Sequence, residues 1–302
     1  MNGDGLRGQL RLDEPMARHV SWRAGGCVAR TYIPADLDDL AAFLRQLPRE
    51  EPLLMVGLGS NLLVRDGGFD GTAVFTHSVL KGLSVTADDV TMIYAEAGVA
   101  SPKLARFAAT HGLGGGEFFA GIPGTLGGAL AMNAGCHGTE TWERVEKVLM
   151  LNRRGERIER RKAEFGVSYR HVEWPAMDDE VFAAAWLRFS PGEPISIRSR
   201  IKALLQRRID TQPLQWPNAG SVFRNPPGDH AARLIEAAGL KGASQGAARV
   251  SEKHANFIVN PDGVASAHEI ETLIGRVQAT VREKFGVELV QEVRIVGTQT
   301  RQ

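Results

Sequence analysis

Gly121-Ile122-Pro123-Gly124-Thr125-Leu126-Gly127-Gly128-Ala129, running on into Met132-Asn133-Ala134-Gly135, closes a cluster of eight glycines between Gly112 and Gly128. The chain-wide rate of 34 in 302 would place about two there. Glycine admits positive φ and lets backbone N–H groups approach a ligand with no Cβ in the way, which is how successive amides cradle a pyrophosphate. The turn Gly57-Leu58-Gly59-Ser60-Asn61 has the same chemistry. One such loop also reads as a tight structural turn. Two of them, in a chain of nearly balanced charge, predict an anionic cofactor whose charge is met largely by backbone dipoles.

The stretch invites a second reading, because Phe118–Thr139 runs for 22 residues without Asp, Glu, Lys or Arg, about the length that spans a bilayer. Six glycines, Pro123 and Asn133 interrupt it, and in lipid the freed backbone groups would go unpaired, so no membrane span is expected. Gly3-Asp4-Gly5-Leu6-Arg7-Gly8 formally matches a dinucleotide fingerprint, but it follows no strand and opens no helix, and it reads as a loose terminus. The balance of 36 Lys+Arg against 35 Asp+Glu removes the electrostatic basis for a nucleic-acid or polybasic membrane binder. Cys27 and Cys136, far apart and without zinc spacing, exclude a disulfide framework and predict no metal site. A reducing compartment fits, and residues 1–15 show no secretory h-region, so the cytoplasm is expected.

Outward from the glycines the chain reads as mixed α+β. Apolar spacing predicts a helix over 34–47, a strand over 53–56 and a helix from the Ser101-Pro102 cap to His111. Strands follow at 145–151 and 181–189, then a linker, Ser190-Pro191-Gly192-Glu193-Pro194, and helices at about 197–209 and 230–238. A short strand at 256–259 precedes the clearest helix, which opens on the capping box Ser266-Ala267-His268-Glu269 and stops at Gly286. A last strand over 287–296 would put Glu292 and Arg294 on one face.

Taken in order, Ser21-Trp22-Arg23-Ala24-Gly25-Gly26, the Gly57–Leu63 turn and the Gly121–Gly135 stretch resemble the FAD-binding half of the UDP-N-acetylenolpyruvoylglucosamine reductase family. Ser168-Tyr169-Arg170, Asn218-Ala219-Gly220-Ser221-Val222-Phe223-Arg224-Asn225-Pro226, Lys253-His254-Ala255-Asn256-Phe257 and Glu292-Val293-Arg294 resemble its catalytic half. The resemblance spans about 15–297. It implies a vanillyl-alcohol-oxidase-like (PCMH-type) FAD-binding region over 1–190, in subdomains of about 15–75 and 76–190. A C-terminal α+β substrate-binding domain over 195–302 would follow, its last strand returning to the active site. No extra substrate-covering loop is inserted after Tyr169-Arg170. Arg224 stands where lysine is common in the family, and His171 where a small or polar residue is common.

The implied reaction uses non-covalently bound FAD and NADPH to reduce the enolpyruvyl ether of a UDP-sugar for peptidoglycan, in a cytoplasmic enzyme for which nothing demands more than a monomer. Arg170 is expected to stabilise charge building on the substrate carboxylate, since a guanidinium grips a carboxylate with two parallel N–H bonds. Ser221 is expected to protonate the α-carbon, and Glu292, beside the substrate carboxylate, to be driven towards its neutral form. Arg23, Gly57, Gly59, Ser60, Asn61, Gly121, Ile122, Pro123, Gly124, Thr125, Gly128, Asn133 and Arg208 are expected at the cofactor, and Tyr169, Asn225, Lys253 and Arg294 at the substrate. His254 reads as structural. The same flavin fold also serves oxidases acting on alcohols or sugars, which is the alternative reading, and a colourless nucleotide-sensing protein is the non-enzyme one.

Overall fold

The computed structural model describes residues 5–77 and 79–300. Its contacts divide the chain into two compact units, each assembled from separated segments. The first comprises residues up to Arg11, Thr31–Gly57 and Thr72–Arg208; the second comprises Leu12–Arg30, Leu58–Gly71 and the chain from Ile209 onward. The division follows Arg208 rather than the segment near 191, because 190–194 is no linker. Ser190–Pro191 pairs antiparallel with Leu113–Gly114. The Glu193 carboxylate then accepts the N–H groups of Ile195 and Ser196, opening the helix Pro194–Thr211.

In the first unit, five antiparallel strands run in the order Arg157–Arg161, Val145–Asn152, Glu180–Arg188, Met92–Glu96 and Leu83–Val85. Both faces of the middle strand are covered, which is why it reads as an apolar run instead of an alternation. Phe182, Ala185 and Leu187 join Leu104 and Ala108 of the helix Ser101–Thr110. Ala183 and Ala184 join Leu40 and Leu44 of the helix Leu37–Gln46. That helix starts three residues later than its apolar spacing suggests, because the Asp36 carboxylate takes the N–H of Asp39 as an N-cap. Leu53–Val56 forms as expected and pairs in parallel with Thr72–Phe75.

The 118–139 stretch is broken into the 3-10 turn Glu117–Gly121, the short helix Leu126–Ala131 and the pair Gly135–Cys136 with Thr139–Glu140. No helix among the described residues is long and apolar enough to cross a membrane. Of the glycine-rich terminus, Gly3 and Asp4 lie outside the described residues. Arg7 and Gly8 are docked, not loose: Asp39, 2% exposed, accepts from Arg7 N–H, Ala35 N–H and the Tyr32 hydroxyl, while the Gly8 N–H donates to that hydroxyl.

The second unit is built around the helix Ala267–Phe285, whose Ile270, Leu273, Ile274, Val277 and Val281 share a core with the helix Ala231–Ala237 and a small antiparallel sheet, Ser244–Gln245, Ala248–Val250 and Ile258–Val259. Trp22 enters this core, its indole N–H donating to the Ile258 carbonyl at 2.7 Å. The expected strand over 287–296 shrinks to Arg294–Val296, paired in parallel with Leu62–Val64. Glu292 lies before the ladder because its N–H turns to Val222 instead of to a neighbouring strand. The capping box forms as its sequence predicts: Ser266 Oγ accepts from Glu269 N–H, Glu269 Oε2 from Ser266 N–H, and Gly286 closes the helix at φ +68°. Ser266→Ala is expected to cost about 1 kcal/mol of stability, read as a lower urea midpoint with the same slope.

Candidate active site

In the first unit the glycine stretch is held by backbone. Ser101 N–H donates to Gly124 O, Leu126 N–H to Val99 O and Gly127 N–H to Ala97 O. Thr125 is 2% exposed and presses on Gly57: a Cβ at Gly57 would stand 2.2 Å from Thr125 Oγ1. The first glycine turn thus begins against the second cluster. Gly121 faces the Cys136 sulfur, Ile122 is buried and Pro123 exposed. A methyl group at Gly128 would meet no protein atom within 4 Å, so that backbone opens outward as a cradle does. The buried Ser101 hydroxyl has no hydrogen-bond partner among the described residues, which a bound polar ligand would remedy. It was expected only as a helix cap, yet Ala100 is the cap and Ser101 the first helical residue.

Asn133 lies at φ +45° and is 1% exposed. Its Nδ2 donates to Glu140 Oε2 at 2.7 Å and to Ser168 O at 3.1 Å, and its Oδ1 accepts from Trp142 N–H. Both of its amide donors are thus committed to protein oxygens. What it organises is Arg170, itself at φ +56°. The Arg170 Nη1 donates to Asn133 O at 3.3 Å and Nη2 to Gly135 O at 2.7 Å, while its guanidinium lies over the exposed Tyr169 ring at 4.9 Å.

Cys136 adjoins this group, donating to Phe118 O. Burial pushes its thiol up to about 11, against the opposing pull of Arg208 and Arg170. Burial likewise lowers Arg208, with Cys136 acting the other way. Two cations, one of them desolvated, therefore flank the glycine stretch, as an anionic ligand requires.

The second unit arranges Ser221, Glu292, Asn61 and Arg294 together. Asn218 Oδ1 accepts from Gly220 N–H, and Gly220 takes φ +75°, a conformation open to glycine. Ser221 follows directly, and Val222 is then fixed from both sides: its N–H donates to Asn256 O, and its carbonyl accepts from Glu292 N–H at 2.8 Å. Asn61 bridges the same strip, Nδ2 donating to Glu292 O at 2.9 Å and its carbonyl accepting from Arg294 N–H at 3.0 Å. Gly59, at φ +59°, lies so close to His19 that a Cβ would stand 2.1 Å from its carbonyl, with Ser60 following in the turn.

The remaining residues are placed less centrally. Arg23 is exposed, at φ +56° in the turn after Trp22. Asn225 Oδ1 accepts from Ala231 N–H at the start of a helix, and Lys253 Nζ donates to Ile209 O at 2.6 Å, so each has a structural partner. Burial lowers His254, whose Nδ1 accepts from Asn256 N–H. Among the described residues no group of three His, Cys, Asp or Glu could hold a metal ion. Glu140 was missed by sequence: nothing marks one glutamate beyond a glycine turn as the partner of an arginine thirty residues away.

Residues 28–160 match the family model of the FAD binding domain, and 212–296 that of the UDP-N-acetylenolpyruvoylglucosamine reductase C-terminal domain. UDP-N-acetylenolpyruvoylglucosamine reductase of Thiobacillus denitrificans is 54% identical over 97% of this chain and 93% of its own, and that of Alkalilimnicola ehrlichii 57% identical over 96% and 95%. Among solved structures, the crystal structure of the reductase from Thermus caldophilus superposes with a TM-score of 0.78 at 29% identity, covering 97% of this chain and all of that one.

The Gly57 contact is open to test. Gly57→Ala drives a methyl into a buried, β-branched side chain and is expected to destabilise by about 1–3 kcal/mol. Adding Thr125→Ala removes the obstacle, so the double variant should lose less, by thermal unfolding, than the sum of the singles.

Proposed function

The chain belongs to the UDP-N-acetylenolpyruvoylglucosamine reductase family, and from that premise we propose which of its residues carry the NADPH-dependent reduction of UDP-N-acetylglucosamine enolpyruvate to UDP-N-acetylmuramate in peptidoglycan synthesis. The oxidase alternative is not favoured by these relatives. The glycine backbone, the buried Ser101 hydroxyl, and Arg208 fit FAD: they offer amides, one unpartnered hydroxyl and a desolvated cation to an anionic dinucleotide. FAD, when bound, relays a hydride equivalent from NADPH to the β-carbon of the enolpyruvyl group.

The protein's task is the complementary half of that addition: to hold the negative charge arriving on the α-carbon and its carboxylate, and to supply one proton. Arg170 holds the charge. Its guanidinium is permanently cationic and carries five donors, two of them anchored on the carbonyls of Asn133 and Gly135. Ser221 supplies the proton from Oγ. A lone hydroxyl is a weak acid, so its effect depends on being close and fixed, and the segment behind it is clamped by Asn218, Asn256 and Glu292. Glu292, whose backbone bonds the residue after Ser221, is assigned to polarise the hydroxyl and meet the substrate carboxylate. Tyr169 packs under Arg170, and we assign Arg294, Asn225 and Lys253 to the UDP-sugar, which Asn225 and Lys253 would meet from anchored positions. The observation that carries this reading is the Glu292 N–H to Val222 O hydrogen bond, which sets the glutamate one residue from Ser221.

We further read the enzyme as a cytoplasmic monomer, both cysteines being free thiols, Cys136 held protonated at neutral pH; sedimentation should give a single species of 32.8 kDa plus cofactor. Ser221→Ala is expected to leave NADPH able to bleach the flavin absorbance, while its restoration by the UDP-sugar slows by roughly 10²- to 10⁴-fold. Loss of bleaching with normal restoration would move Ser221 to the NADPH half and overturn the assignment.

A further inference from the structure

We propose that Glu140 is the positioning residue of Arg170: its carboxylate fixes both the turn that the guanidinium grips and the guanidinium itself. The inference rests on the assignment of Arg170 to the substrate carboxylate.

Glu140 reaches Arg170 by three routes, all within the first unit. Its backbone is the ladder partner of Gly135, whose carbonyl accepts from Arg170 Nη2 at 2.7 Å. Its Oε2 accepts from Asn133 Nδ2 at 2.7 Å, and the Asn133 carbonyl accepts from Arg170 Nη1. Its Oε1 stands 3.5 Å from Arg170 Nη1, with the arginine side chain 14% exposed and the glutamate 31%. The carboxylate also accepts the N–H of Glu143 in a capping box.

Two of these roles need no charge. A neutral amide oxygen accepts from a donor such as Asn133 Nδ2 or a helix-start N–H, though less strongly than a carboxylate does. Only the contact with Arg170 uses the negative charge, and that contact is shielded enough to be screened less than a surface pair. The geometry around it is held away from the backbone's usual basins: Asn133, His137 and Arg170 lie at φ +45°, +55° and +56°, three of the five non-glycine positive-φ residues among those described. Such conformations persist only where the surroundings over-determine them, and they cluster where a group must be delivered in one orientation. Without Glu140's charge, the guanidinium would lose an anion that stands beside Nη1, the terminal nitrogen that also donates to the Asn133 carbonyl.

The test uses the flavin-loaded enzyme and separates its two half-reactions. Glu140→Gln keeps an amide oxygen to accept from Asn133 and replaces the charged oxygen beside Arg170 with an uncharged NH2 group. It is expected to slow restoration of the flavin absorbance by the UDP-sugar about tenfold, the scale on which small misplacements act, while bleaching by NADPH, the KM for NADPH and the thermal midpoint stay at wild-type values. Glu140→Asp, which keeps the charge, should recover most of the lost rate. A Gln variant as fast as wild type, an Asp variant as slow as Gln, or a loss shared by both half-reactions together with a lower midpoint would each overturn the proposal. Arg170→Lys is measured alongside: if it restores the absorbance at the wild-type rate, the Arg170 assignment itself falls, an outcome distinct from failure of the Glu140 variants beside a slow Arg170→Lys.

Discussion

A buried amide has to satisfy two donors and an acceptor at once, and at Asn133 that demand shapes everything around the candidate charge stabiliser. Its donors go to Glu140 and the Ser168 carbonyl, its oxygen receives Trp142 N–H, and the backbone carbonyl left over is the one Arg170 grips. An unpaired donor in such a site would cost about 1–3 kcal/mol, so the segments bearing Ser168, Glu140 and Trp142 are tied to a single arrangement. Tyr169 and Arg170 follow Ser168 directly and inherit it.

The second unit solves the same problem in the same way. Asn256 takes Phe223 N–H on Oδ1 and gives Nδ2 to Phe223 O, acting as a side-chain substitute for a strand neighbour. Asn260 links Ala265 N–H to Trp22 O, Asn218 shapes the turn before Ser221, and Asn61 spans Glu292 and Arg294. The candidate catalytic groups stand on irregular backbone, where no ladder supplies partners, and asparagine carries both a donor and an acceptor in the shape of a peptide group. Each group is therefore as firmly placed as a strand residue while remaining at the end of a loop.

This use of asparagine explains why Asn61 and Asn133 looked like ligand contacts from sequence. A polar residue within a glycine motif suggests a hand held out to a cofactor; in both, the side-chain amide donates to protein oxygens. At Gly57 and Gly59 the close approach of Thr125 and His19 leaves no room for a Cβ, so there glycine is required by the packing of the turn itself.

What the sequence determined by itself was local and chemical: the capping box at Ser266, the strand at Leu53–Val56, the amphipathic helix ending at Gly286, and the ordered motifs by which the family is recognised. These depend on neighbours a few residues apart, so spacing and side-chain type suffice. Only the tertiary structure decided that Ser190–Pro191 is a strand rather than a linker, that Glu292 precedes its ladder, and that Glu140 stands beside Arg170. Each of those outcomes turns on a hydrogen bond or ion pair between residues thirty or more positions apart, and no local pattern records which distant partner a polar group will meet once the chain is folded.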